Sequence, residues 1–165
     1  MLYYQVKPNE TIGSIAMDFR MSVPSLMAAN PGLKPNQIIA GTTIVIPGIR
    51  NPATIPYHVI IHLDQKILQL YHSGRLMKTY PIAVGKILTA TPSGDFVVVN
   101  REPNPGGPFG AYWLSLSKLH YGIHGTNNPL SIGKAVSKGC VRMYNQDVVE
   151  LASIIPNGTR VSIRS

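Results

Sequence analysis

The chain has 165 residues, of which 44% are hydrophobic and only 13% charged, against about 25% charged in an average soluble domain. This excludes a disordered polyelectrolyte and, with 15 Gly and 14 Pro, favours a protein of strands and loops. A formal net charge of +8 points to a polyanionic partner, but the basic residues form no block and are not interleaved with aromatics, which argues against nucleic acid, and no apolar run reaches the roughly 20 residues of a membrane span.

The first residues, Leu2, Tyr3, Tyr4, Gln5, Val6, Lys7 and Pro8, have neither a basic n-region nor an apolar h-region, so no signal peptide is expected in this chain. A short strand is predicted over 3–6. Thr11 is a good N-cap for a helix whose apolar residues Ile12, Ile15, Ala16 and Phe19 recur at helical spacing and form one stripe. Ser22 caps a second helix that tolerates Pro24 in its first turn and ends at Asn30-Pro31-Gly32. A strand over 43–46 closes the segment, giving the order strand, helix, helix, strand. At about 50 residues this unit is near the lower limit for a self-sufficient core.

The segment resembles a LysM module through Tyr3-x-x-Val6, Thr11-Ile12-x-x-Ile15-Ala16-x-x-Phe19, Leu26-x-x-x-Asn30-Pro31-x-Leu33 and Ile39-x-Gly41-x-x-Ile44-x-Ile46-Pro47. It departs from the family at Asn9-Glu10, where Gly-Asp is common. The resemblance implies binding of N-acetylglucosamine-containing glycans, with Asn9, Glu10, Thr11, Ile12, Asn30, Pro31, Gly32 and Leu33 as contacts. For each of these residues an ordinary cap or turn role competes.

Pro47 to Pro56 is rich in Pro and Gly and has no regular periodicity. We place a glycan-binding module at 1–49, a linker at 50–56 and a second domain at 57–165. The second domain opens on alternation, with Tyr57, Val59, Ile61 and Leu63 on one face and His58, Ile60 and His62 on the other. Further strands are predicted over 67–71, 76–84, 96–100, 112–116 and 159–163. One helix is expected behind Asn145 as N-cap, with Asp147 in its first turn, an apolar stripe of Val148, Leu151, Ala152 and Ile155, and Pro156 as its stop. The predicted class is a small βααβ module joined to a mainly-β sandwich or barrel-like domain with one main helix. The long connection over 101–111 suggests a substrate lid.

Cys140 is the single cysteine, so no disulfide framework is available. It is either buried filler or a reactive thiol. His124 lies sixteen residues before it, within Gly122-Ile123-His124-Gly125-Thr126, and around it stands Ser137-Lys138-Gly139-Cys140-Val141-Arg142. A histidine beside a lone cysteine is the smallest thiol-nucleophile pair, with His124 and Arg142 available to raise the thiolate fraction. Gly139 permits a tight turn in which the Gly139 and Cys140 N–H groups face an oxyanion. His120 with His124 and Cys140 evokes a metal site, but no carboxylate or fourth ligand accompanies them; His120 is expected on a strand. No metal or cofactor is expected. His58, His62 and His72 fit sheet positions.

This window resembles the catalytic signature of the L,D-transpeptidase domain family: His-Gly, a spacer, then Ser/Thr-x-Gly-Cys-apolar-Arg. The stretches from Thr91 to Phe96 and from Pro105 to Leu114 are also similar to family motifs. The resemblance implies that Cys140 is the nucleophile, His124 its base and later acid, and that the Gly125 carbonyl orients the imidazole. Ser137, Gly139 and Arg142 complete the motif, with Arg142 an anchor for substrate or for the charge of the intermediate, and His120 is retained near the site. Lys138 stands where many members have His. The implied reaction is 3→3 cross-linking of peptidoglycan stem peptides in the bacterial envelope by a monomer, with assembly into a spore wall as one route to the substrate. An L,D-carboxypeptidase, a cell-wall cysteine peptidase and a non-catalytic wall-binding protein remain as alternatives.

Overall fold

The computed structural model describes residues 1–86, 91–137 and 139–165; Lys138, singled out above, lies outside them. The N-terminal module is a two-stranded antiparallel sheet, β1 (Leu2–Gln5) against β2 (Thr43–Ile46), covered by α1 (Ile12–Asp18) and α2 (Val23–Ala28). Thr11 caps α1 as its sequence suggests, accepting the Ser14 N–H at 3.0 Å while Ser14 Oγ accepts the Thr11 N–H at 2.9 Å, a reciprocal cap of the kind that contributes about 1 kcal/mol. Ser22 likewise caps α2. Ile12, Ile15, Ala16, Leu26, Ile44 and Ile46 fill the space between helices and sheet.

The second domain is built from β3 (Tyr57–His62), β4 (Ile67–His72), β5 (Arg75–Gly85), β6 (Gly94–Pro103), β7 (Tyr112–Leu116), β8 (Gly122–His124), β9 (Ala135–Ser137), β10 (Val141–Met143) and β11 (Arg160–Arg164). They form one sheet in the order β10-β8-β7-β6-β11-β3-β4-β5-β9, and a further pairing of β10 with β5 curls it into a barrel-like surface. Alternation puts Val59 and Ile61 of β3, Leu68 and Leu70 of β4, and Val161 and Ile163 of β11 inside. The main helix, α3 (Asn145–Ile154), buries Val148, Leu151 and Ala152 against β7 and β8.

Three expectations shift. Residues 101–103 belong to β6, and the shortened connection to β7 is pinned rather than free: the Asn104 N–H bonds Ala111 O at 2.9 Å, the Gly106 N–H bonds Gly110 O at 3.0 Å, and the Ala111 N–H bonds Asn145 Oδ1 at 3.0 Å. His120 sits in an exposed turn with φ 71°, not on a strand. Tyr144, not Asn145, holds the N-cap position of α3 and makes no side-chain cap bond.

β6 presents two faces. Val98 points into the barrel core, whereas Val97 and Val99 on its outer side join the core of the N-terminal module together with Ile49. The two units therefore share an apolar seam. Polar bonds extend it: Asp18 Oδ1 accepts the Leu119 N–H at 2.9 Å, and Arg20 Nη2 donates to Lys118 O at 3.0 Å and Tyr121 O at 3.3 Å.

Candidate active site

β8 and β10 lie side by side in parallel, with Ile123 opposite Val141 and His124 opposite Arg142. That parallel register sets the turn before β10 level with the start of β8. Cys140 immediately precedes β10, so its sulfur lies beside the start of β8. The thiol faces His120 O at 3.5 Å.

The turn carrying Cys140 is tied by Ser137. Its hydroxyl donates to Cys140 O at 2.6 Å and accepts the Gly139 N–H at 3.3 Å. Gly139 has φ 111°, a conformation that side chains oppose, so glycine is required here. The Gly139 N–H is thus directed at Ser137 rather than into the pocket, unlike the oxyanion role expected of it.

His124 is 3% exposed and packed between rings: Trp113 stacks on it at 5.4 Å between centroids and Phe109 meets it edge-on at 5.2 Å. Its Nδ1 lies 2.5 Å from Gly125 O. A carbonyl only accepts, so Nδ1 carries the proton and Nε2 is left as the basic nitrogen, an assignment made from the hydrogen bond. Gly125 has no room for a side chain, because a Cβ there would sit 2.2 Å from Asn145 Oδ1. Asn145 in turn accepts the Thr126 N–H and donates to Thr126 O, each at 3.0 Å. The residue expected to cap a helix instead locks the segment that orients the imidazole.

Arg142 donates from Nη1 to Ser131 Oγ at 2.9 Å, and its buried Nε has no partner among the described residues. Lys86, Pro108, Phe109, His124, Val136, Ser137, Cys140 and Arg142 line a pocket of about 300 Å³, at the small end for ligand sites. A cleft of about 480 Å³ elsewhere on the barrel, walled by Ile55, Tyr57, Tyr71 and Arg160, holds no thiol, so volume alone does not locate the chemistry.

Electrostatics make the pair neutral at rest. Burial pushes the His124 imidazole down to about 4, a shift opposed by the Gly125 carbonyl and reinforced by the Arg142 charge. Burial pushes the Cys140 thiol up, while the Gly122 backbone and the charges of Arg142 and Arg20 pull it back. At neutral pH the resting pair is thiol and imidazole rather than thiolate and imidazolium. Among the described residues, no three His, Cys, Asp or Glu side chains are grouped to hold a metal.

In the N-terminal module the expected glycan contacts divide. Asn30 is turned inward, donating to Leu26 O and Val45 O and accepting the Val45 N–H, all at 2.8 Å. Ile12 is buried and Leu33 packs on the core. Glu10 accepts the Tyr4 hydroxyl and the Lys7 N–H, Asn9 holds a left-handed turn at φ 68°, and Pro31 and Gly32 are exposed at the end of α2. A groove of about 490 Å³ runs along Glu10, Thr11, Ile12 and Gly13 and is walled by Val23, Pro35, Asn36 and Ile38. Asn30 to Leu33 does not line it.

Of the residues singled out in the sequence, Cys140, His124, Ser137 and Arg142 line one pocket, with Gly125 and Gly139 supporting it and the backbone of His120 against the sulfur. Sequence reasoning missed Trp113, Phe109, Ser131, Asn145 and Arg20. Only Trp113 and Phe109 left a signal, as large aromatics in a Pro/Gly-rich stretch.

Comparison with known proteins follows this division. The profile of the L,D-transpeptidase catalytic domain matches residues 56–163, and that of the LysM domain residues 4–47. A provisionally named L,D-transpeptidase YkuD of Bacillus licheniformis is 71% identical over 163 residues, covering 99% of each chain. Its namesake in Bacillus subtilis is 66% identical over the same length and coverage. The catalytic domain of an Enterococcus faecium L,D-transpeptidase, solved by NMR, superposes with a TM-score of 0.58 at 24% identity, covering 66% of this chain and 96% of that one.

Proposed function

The chain belongs to the L,D-transpeptidase catalytic-domain family and carries a LysM domain, and from that premise we propose that it cross-links peptidoglycan stem peptides with Cys140 as nucleophile. The observation that carries this reading is the pocket in which Cys140, His124 and Arg142 meet, with His124 presenting Nε2 because Gly125 O holds its other nitrogen.

The neutral resting pair favours attack assisted by a base. As the Cys140 sulfur adds to the carbonyl carbon between the third residue and D-Ala of a tetrapeptide stem, its proton passes to His124 Nε2. The oxyanion is stabilised by the Arg142 guanidinium and the Cys140 N–H. Collapse breaks the amide bond, His124 returns the proton to the departing D-Ala amine, and a thioester remains. A side-chain amine of a second stem then adds, gives its proton to His124 and displaces the thiol, leaving a 3→3 cross-link. Water in place of the amine makes the reaction an L,D-carboxypeptidase.

The N-terminal groove along Glu10 to Gly13 would hold the glycan strand, and the charge of +8 suits an anionic wall. No helix among the described residues is long and apolar enough to cross a membrane. The bacterial envelope is the site of action in this reading, with a contribution to wall biogenesis and cell shape, and with a spore wall as one such layer.

The test is intact-mass spectrometry of wild type and Cys140→Ala after incubation with a carbapenem, followed by incubation with tetrapeptide stems. A single adduct on wild type only, then release of D-Ala with a dimeric product, is the expected result. Release without dimer supports the carboxypeptidase. No adduct on folded wild type overturns the nucleophile assignment and favours a wall-binding protein.

A further inference from the structure

The turn over 118–121 lies between β7 and β8 and supplies the His120 carbonyl that the Cys140 thiol faces. Backbone groups on both sides of that carbonyl are held from outside the barrel. Arg20 Nη2 binds Lys118 O and Tyr121 O, and Asp18 Oδ1 binds the Leu119 N–H. Both side chains come from the end of α1. The Arg20 guanidinium is anchored in turn by Nη1 on Asp18 O.

The backbone at Arg20 adds an independent observation. α1 ends with the Met21 N–H on Ala16 O at 2.9 Å and the Arg20 N–H on Met17 O at 3.1 Å, the paired bonds of a helix terminus whose first residue beyond the cap is left-handed. Arg20 occupies that position with φ 55°. Glycine is the residue the geometry favours there, and a side chain costs of order 1 kcal/mol. A long cation stands where the local fold asks for no side chain, and it reaches toward the thiol's cradle.

We propose that the N-terminal module is part of the catalytic centre: Asp18 and Arg20 hold the turn over 118–121 against Cys140, and Arg20 is a positioning residue that brings a positive charge to the thiol. The inference rests on Cys140 being the nucleophile. Arg142, His124 and Lys86 face the same pocket, so Arg20 supplements Arg142 from the opposite element. The charges of Arg20 and Cys140 favour one another's ionised forms.

The experiment measures the rate of iodoacetamide alkylation of Cys140 from pH 6 to 10 in the full chain, for wild type, Arg20→Gly, Arg20→Lys and the remote control Arg75→Met, with Cys140→Ala as blank. Arg20→Gly relieves the left-handed strain, so the α1 terminus keeps its favoured geometry while the guanidinium is lost. Its thiol midpoint should rise by about half to one pH unit, a roughly threefold to tenfold smaller thiolate fraction at pH 7. Arg20→Lys keeps the charge without the two-carbonyl fork and should fall between wild type and Arg20→Gly. If Arg20→Gly does not fold, the Arg20→Lys profile decides alone.

A folded Arg20→Gly whose profile overlays wild type would sink the inference while leaving Cys140 as a reactive thiol. An inert Cys140 in folded wild type would overturn the nucleophile assignment and this inference with it. A shift in Arg75→Met as large as that of Arg20→Gly would reduce the effect to net charge and also overturn it.

Discussion

His124 combines deep burial, the Trp113 ring stacked on it, the Phe109 ring edge-on to it and a polar contact at Nδ1. In the unfolded chain it titrates near about 6.5, and in the folded one near about 4. Between those values the unfolded state binds a proton that the folded state refuses, so stability falls as pH drops through this window and is fully present above it. The difference corresponds to about 3–4 kcal/mol. Asp95 and Glu150, whose carboxyls sit below their ordinary values through Ser162 and Lys78 respectively, lose stability in the same direction on further acidification. Comparing wild type with His124→Gln separates the contributions. Thermal unfolding at pH 7 and pH 4.5 should show a larger drop for wild type; equal drops in both proteins would mean that the buried imidazole is not the source.

At the scale of elements, the ends of α3 do more than the sequence indicated. Arg101, on β6, donates to Ala152 O at 2.8 Å, Ile155 O at 2.7 Å and Asn157 Oδ1 at 3.0 Å. It satisfies carbonyls that a helix terminus leaves open and puts a cation at the negative end of the dipole. At the other end Asn145 grips 125–126. Replacing Arg101 by Met should lower stability by about 1–3 kcal/mol, read as a lower urea midpoint at unchanged slope. A midpoint equal to wild type would show that water satisfies those carbonyls as well.

Such cross-element bonds mark where sequence reading runs out. The first strand of the second domain announces itself through alternation over 57–63, the strands over 67–71 and 112–116 are bracketed by turn residues, and Thr11 and Ser22 stand out through capping chemistry. The chemistry-bearing window was legible as a motif, with Cys140 and His124 its natural focus. β8, β9 and β10 were not: three residues hold less than two periods of a strand, and their pairing joins segments far apart in the chain. Asn30 and Asn145 were placed correctly along the chain but given the wrong partners, because an amide that bonds a distant strand has the same local sequence as one that caps a helix or meets a ligand.

For the whole molecule, the question is whether two domains fold as two. A unit of about 50 residues has little core of its own, and here part of it is borrowed: Val97 and Val99 on the outer face of β6 complete the cluster around Ile15, Leu26 and Ile44. The Asp18 and Arg20 bonds tie the same seam to the turn beside Cys140. Burial of two valines is worth roughly 1.5–3 kcal/mol each, comparable with the whole margin such a small unit would have alone. Differential scanning calorimetry should therefore show one cooperative transition, and Val97→Ala with Val99→Ala should lower that single Tm instead of splitting it. Two well-resolved transitions in wild type would mean that the module folds independently, and the placement of the 118–121 turn would then not share its stability with the glycan-binding unit. With a single transition, any change that loosens the module loosens the cradle of the thiol as well, so the Val97→Ala, Val99→Ala protein should also alkylate at Cys140 with an altered pH profile, although neither valine lines the pocket.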